Sequence, residues 1–238
     1  MENKERINKV LSQRGVCSRR EADRLIEDGR IVINDHRAQM GEKVGPDDDI
    51  LVDGQPIDRP SKKIYIMLNK PIGVITTSDR DKPNNVIDFL GLHDRVFPVG
   101  RLDVESSGLL LLTNDGDLTA RLTHPRFGHE KEYDVTVSQP ISGDQLEALR
   151  HGVRLADGQT MPAKVKRVTN ERFLIVLLQG KNRQIRRMCE ALGLQVTKLR
   201  RVRVHTQKLG RLLPGQWREL TKKEIVELKK DVSEIDET

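Results

Sequence analysis

The 238 residues include only two cysteines, one tryptophan, two tyrosines and four phenylalanines. Cys17 and Cys189 stand far apart, with no Cys-x-x-Cys and no cysteine–histidine cluster. That excludes a zinc ribbon and a disulfide framework and fits a reducing compartment. Aromatic residues at 3% leave too few rings for a platform on which unpaired bases stack. No apolar run approaches the ~18 residues of a membrane span. The opening Met-Glu-Asn-Lys-Glu-Arg lacks the apolar segment of a secretion signal, so a cytoplasmic protein with no membrane partner is expected.

What the chain has in quantity is charge. Asp, Glu, Lys and Arg make up 33% of it and the net charge is +6. The surplus is local: between Lys181 and Arg218 eleven lysines and arginines face Glu190 alone. Such a concentration is the electrostatic footprint of a phosphate backbone, whereas solvated helix faces usually mix both signs. A nucleic-acid partner is expected.

Residues 1–53 read as a small unit. Ile7, Val10 and Leu11 recur at helical spacing, and Gly15 is placed to end that helix. Ser18-Arg-Arg-Glu21 has the pattern of a capping box. The second helix turns Ala22, Leu25 and Ile26 inward and carries Arg19, Arg20 and Arg24 around its start and outer side. Ile31–Ile33 and Ile50–Val52 read as short strands. Residues 54–63, with two prolines and no periodicity, read as a linker.

Residues 64–238 form the larger domain. Ile64–Leu68 reads as a buried strand, Val74–Thr77 as a resumption of the sheet, and Asn85–Leu90 as a short helix. Leu109–Leu112, bounded by Gly108 and Asn114-Asp-Gly116, reads as a strand buried on both faces. Later come strands over 133–137, 163–168 and 172–178, and helices over 142–149 and 185–192. Val196–Val204 is expected to be a strand with one positively charged side. Strands and helices without a βαβ rhythm point to an α+β fold. Asp103 then lies on a loop between two buried elements, a usual place for chemistry, although an aspartate there also suits a turn bonded to its own backbone.

Two stretches carry a family resemblance. Gly100-Arg-Leu-Asp103, followed by Ser106-Ser-Gly-Leu-Leu-Leu-Leu-Thr-Asn-Asp-Gly116, resembles the active-site motif of the RsuA/RluB/RluE/RluF group of ribosomal-RNA pseudouridine synthases. Ile7-Asn-Lys-Val-Leu and Gly15-Val-Cys-Ser-Arg-Arg-Glu-Ala-Asp23, with Gly29-Arg-Ile-Val-Ile-Asn34, resemble the alpha-L RNA-binding motif of the S-four ribosomal-protein family. The resemblance implies a catalytic domain with a mixed, mostly antiparallel sheet flanked by helices. It implies a monomer acting on a stem-loop of 23S ribosomal RNA, because the wording leans toward the F or B type, whose members act on the large ribosomal subunit.

It also implies roles. Asp103 is the catalytic carboxylate. Gly180-Lys-Asn-Arg-Gln-Ile-Arg-Arg-Met188 resembles a motif whose arginine after Gln-Ile pairs with that aspartate, here Arg186. A helical wheel places Arg186 at the border of the apolar face, with Arg183 and Arg187 turned away. His129-Glu-Lys-Glu-Tyr133 resembles the motif whose tyrosine packs on the extruded uracil; a core tyrosine is the plainer reading. Arg101 is the candidate to fill the gap left by the flipped uridine, or to touch a phosphate. Lys181, Arg183 and Arg187 join Arg19, Arg20 and Arg24 as candidate RNA contacts.

Isomerising uridine breaks its glycosidic bond and rejoins the base through carbon five. Nothing is oxidised and no group is added, so no cofactor or metal is expected. Asp103 acts either as nucleophile or by abstracting a proton. A noncatalytic RNA binder has no need of Asp103, Tyr133 and Arg186 together. A base-excising glycosidase needs a second carboxylate, for which Glu105 is the nearest candidate.

Overall fold

The computed structural model describes residues 4–57, 62–124 and 127–233. The chain divides into two compact units, Met1–Lys63 and Ile64–Thr238. The first contains β1 (Glu5–Arg6), α1 (Ile7–Gln13), α2 (Arg19–Glu27), β2 (Ile31–Ile33), β3 (His36–Arg37), β4 (Lys43–Val44), β5 (Ile50–Val52) and β6 (Gln55–Pro56). β1 pairs with β4, and the rest form an antiparallel sheet in the order β3-β2-β5-β6. Ile7, Leu11, Ala22, Ile26 and Ile31 are buried together between the two helices and this sheet.

Two local expectations change here. The Ser18 hydroxyl accepts the Glu21 amide at 3.1 Å, but among the described residues Glu21 does not return the bond and lies 3.6 Å from Arg24 instead. The linker expected over 54–63 begins later than that. Asp53 and Gly54, both at positive φ (52° and 76°), make a hairpin turn that pairs Gln55–Pro56 with β5. Residues 58–61 lie outside the described residues.

The second unit runs β7 (Tyr65–Lys70), α3 (Val86–Leu90), β8 (Phe97–Val99), β9 (Ser107–Thr113), α4 (Gly116–Thr123) and β10 (Lys131–Val137). It continues with α5 (Gly143–His151), the hairpin β11 (Arg154–Leu155) and β12 (Gly158–Gln159), β13 (Lys164–Arg167), β14 (Arg172–Leu177) and α6 (Gln184–Ala191). β15 (Val196–Val204), β16 (Gln207–Lys208), β17 (Trp217–Glu219) and α7 (Lys222–Ser233) complete it. The main sheet has the order β13-β14-β10-β15-β9-β7-β17, and β15 with β9 is its parallel pair. The fold is α+β with a mixed sheet. Val74–Thr77 does not resume that sheet; it contributes one bridge, Ile75 to Asn85.

The continuous apolar runs of β7 and β9 follow from their place at the centre of this sheet. Met67, Leu109 and Leu111 pack on one face with α4 and α7, while Ile66, Leu68, Leu110 and Leu112 pack on the other with α3. A strand covered on both sides needs apolar residues at both parities. The loop after β8 therefore leaves from the buried Val99 and returns to the packed strand β9.

Candidate active site

The 100–106 loop is fastened at nearly every residue. The Thr76 hydroxyl donates to the Leu102 carbonyl at 2.8 Å and accepts the Leu102 amide at 3.3 Å. The Gly73 amide donates to the Val104 carbonyl at 2.9 Å, and the Ser106 amide to the Asp103 carbonyl at 3.0 Å. Arg201 Nη1 donates to the Arg101 carbonyl at 3.2 Å. Asp103 is half-buried, and its carboxylate makes no hydrogen bond or salt bridge with any described residue. It is not a turn aspartate satisfied by its own backbone. Its backbone is fixed and its side chain is unspent.

Asp103 lines a cleft of about 610 Å³ together with Arg101, Lys131, Tyr133, Ile185 and Arg201. Tyr133 reaches it from β10, half-buried, in register with Arg201 on β15. Arg201 is in register with Gly108 on β9, and Gly108 with Lys70 on β7. Residues directly opposite in a sheet share a face, so Lys70, Arg201 and Tyr133 form one row behind the loop.

Two members of that row were not singled out from the sequence. Lys70 is 0% exposed, its ammonium held by the carbonyls of Pro71 (2.9 Å) and Val74 (2.8 Å). Burial pushes its pKa down to about 8; the charge of Asp103 opposes that fall and the charge of Arg201 adds to it. Arg201 is 2% exposed, with Nε on the Leu109 carbonyl at 2.8 Å. Its charge also lowers the pKa of Lys131, second to burial. The positively charged side expected for β15 thus holds only in part, because Arg201 shares the inward face with Leu199. Arg203, next on that parity, pairs with Glu130 and Glu132.

Arg186 is half-buried, as the wheel requires, but it does not meet Asp103. Its Nη1 donates to the Val196 carbonyl and its Nη2 to the Glu105 carbonyl, both at 3.3 Å, and its Nε lies 3.7 Å from the Glu105 carboxylate. Arg183, which caps α6 at φ 47°, binds the same carboxylate through both terminal nitrogens at 3.2 Å. The expected Asp103–Arg186 pair is replaced by a bridge further along the loop, because Glu105 projects outward over α6 and intercepts both arginines. Arg187 forms a bidentate pair with Asp157 (2.9 and 3.2 Å), and Lys181 lies 3.9 Å from the same carboxylate. Arg101 is exposed at the cleft. In the first unit Arg19, Arg20 and Arg24 are exposed around α2.

A mixed sheet carrying a backbone-pinned carboxylate in a cation-backed cleft is an arrangement suited to chemistry, and comparison with known proteins says to which class the chain belongs. The RNA pseudouridylate synthase family matches residues 64–191, and the S4 domain family matches residues 5–50. The chain belongs to the RNA pseudouridine synthases, enzymes of the isomerase class, and carries an N-terminal S4 domain. The dual-specificity RNA pseudouridine synthase RluF of Escherichia coli (strain K12) is 44% identical over 225 residues, covering 94% of this chain and 78% of that protein. The ribosomal large subunit pseudouridine synthase B of Bacillus subtilis (strain 168) is 38% identical, covering 94% and 96%. A solved crystal structure of a pseudouridylate synthase aligns at a TM-score of 0.69 and 30% identity, covering 94% of this chain and 99% of that one.

Proposed function

We propose that this enzyme isomerises a uridine in a stem-loop of 23S ribosomal RNA, as a cytoplasmic monomer and without cofactor or metal. The name of the Bacillus subtilis relative, a ribosomal large subunit pseudouridine synthase, supports a substrate of this class, and that of the Escherichia coli relative supports an RNA substrate. The observation that carries the reading is Asp103: a carboxylate on a fastened loop, free of internal bonds, at the wall of a cleft shared with Tyr133.

The C1′–N1 bond breaks and its electron pair leaves with the uracil. The base turns, carbon five bonds to C1′, the carbon-five proton is released and N1 takes up a proton. Asp103 assists by attacking the sugar or by taking a proton from it. Tyr133 packs on the loose base. Flipping the uridine costs a few kcal/mol, and the exposed Arg101 guanidinium fills the space it leaves. Lys181 and Arg183 at the cleft and Arg187 on α6 take phosphates in exchange for the Glu105 and Asp157 carboxylates that hold them, and Arg19, Arg20 and Arg24 in the S4 domain take phosphates directly.

The test is incubation with 23S RNA tritiated at uridine carbon five. The wild type releases tritium and Asp103→Asn releases none. Equal release by Asp103→Asn removes the aspartate from the mechanism, and free uracil in the products converts the reading to base excision.

A further inference from the structure

The outer strands of the main sheet are packed on one face only. Along β13, β14, β10 and β15, Val165, Phe173, Ile175, Val135 and Leu199 are buried with residues of α5 and α6. Side chains alternate along a strand, and none of the alternate residues on these four strands is buried. Lys166, Leu174, Asp134 and Arg200 stand opposite one another in a row across all four strands. Arg172, Thr136 and Lys198 form the next row. This is the reverse of the face that carries Tyr133 and Arg201, and α4 and α7 pack further across the sheet, on β7 and β9.

The open face is basic, and its acids are already engaged. Asp134 binds Arg172, Glu130 binds Lys164 and Arg203, and Glu132 binds Arg203. The side chains of Lys166, Lys198 and Arg200 form no hydrogen bond or salt bridge with any described residue. Lysines on the outermost strand of a sheet commonly keep other strands from adding to it. Edge protection accounts for Lys164 and Lys166, because β13 is outermost. It does not account for Lys198 and Arg200, because β15 lies between β10 and β9. Unpaired cations on an inner strand leave the face with a surplus charge that nothing in the described chain answers.

We propose that this face is a second RNA-binding surface, which takes the phosphate backbone of a duplex flanking the stem that bears the target uridine. It rests only on the chain acting on RNA, whichever RNA that is. A duplex is the occupant that fits. No aromatic side chain stands on the face among the described residues, so unpaired bases have nothing to stack on. The three unpaired cations stand on β13 and β15, three strand spacings apart, about 14 Å at ~4.8 Å each. That breadth lets them meet both strands across the shallow minor groove of an RNA helix. Strand pairing fixes their rows before RNA arrives. The enzyme then holds one RNA from two sides, the target uridine in the cleft and a neighbouring helix on the reverse.

The experiment uses the full chain and an RNA duplex of about 20 base pairs, all G·C, which holds no uridine and so is no substrate. Filter binding across a salt series compares wild type with the triple variant Lys166→Ala, Lys198→Ala, Arg200→Ala. The variant should bind at least tenfold more weakly at about 0.1 M salt, and its slope of log K against log salt should fall by roughly 2, at ~0.7–0.9 for each phosphate no longer neutralised. Lysine acetylation read by mass spectrometry locates the contact. Lys166 and Lys198 should react in the free protein and be protected by the duplex, while the exposed Lys223 of α7 stays reactive. In tritium release from ribosomal RNA the triple variant should raise KM more than it lowers kcat, because Asp103 and Tyr133 are untouched. Unchanged affinity and slope overturn the proposal, as does equal reactivity of both lysines with and without the duplex. Lysines that are unreactive in the free chain, or protected by ribosomal proteins and not by RNA, give the face to a protein occupant and overturn it equally.

Discussion

Lys70 shows how a single side chain couples stability to the site. Its pKa of about 8 in the folded chain lies below the ordinary 10.5. Below pH 8 both folded and unfolded chains carry the proton, and the cost of burying the charge is fully present. Between about pH 8 and 10.5 the unfolded chain holds the proton more tightly, so stability rises with pH across that window, by up to ~3 kcal/mol. Lys70→Met should flatten this rise, as read by urea unfolding at pH 7.5 and 10; an unchanged rise would show that the lysine is not the group responsible. The sequence displayed Asp103 well, because a charged trio between Gly100 and a four-leucine strand has few structural uses. It hid Lys70 inside an Asn-Lys-Pro-Ile-Gly turn. It hid Arg201 among the neighbouring Arg200 and Arg203, since a basic residue on a strand is by default assigned to the wet side. The clue was parity: Arg201 stands two residues from Leu199, on the face that a central strand must bury.

Among the elements, the parallel contact of β9 with β15 sets the site. At Gly108 the chain has φ 109°, and a Cβ there would lie 2.2 Å from the Arg201 carbonyl oxygen and 2.6 Å from its nitrogen. No side chain fits without parting the strands. Gly108→Ala should cost at least ~2 kcal/mol from backbone strain and clash and should lower turnover more than Arg101→Ala does, because it displaces Arg201 from the loop. Thermal unfolding and tritium release together check this; a folded, fully active Gly108→Ala would show that the close approach is dispensable. Helices and strands were legible from periodicity: α3, α5, α6 and β10 fall where the apolar spacing puts them. Pairing was not. Nothing local in Ser107–Thr113 says that its neighbour comes from beyond residue 195. Arg186, carried on a recognisable motif, was therefore the natural partner to expect for the acid, although the fold turns it toward Glu105 instead.

Over the whole molecule, the basic segment is less free than its composition implies. Of the eleven cations between Lys181 and Arg218, six (Lys181, Arg183, Arg186, Arg187, Arg203 and Arg218) are matched by Glu105, Asp157, Glu130, Glu132 and Glu224. Arg201 is buried. Lys198 is exposed and Arg200 half-exposed, and neither is paired with a described acid. RNA affinity should therefore depend on salt less steeply than eleven phosphate contacts would require. Lys198→Ala with Arg200→Ala should reduce the slope of log K against log salt by roughly 1.5, at ~0.7–0.9 for each phosphate no longer neutralised. A slope unchanged in filter binding across a salt series would place the RNA on another face.

The row that crosses the sheet from Lys70 through Gly108 to Arg201 and Tyr133 also fixes when, as the chain is made, the sheet behind the 100–106 loop can close. During translation the acid at 103 leaves the exit tunnel long before the strand that delivers the guanidinium. A growing polypeptide thus holds the loop without the strand that fastens its Arg101 carbonyl. The parallel pair of β9 and β15 can form only after synthesis has passed β15.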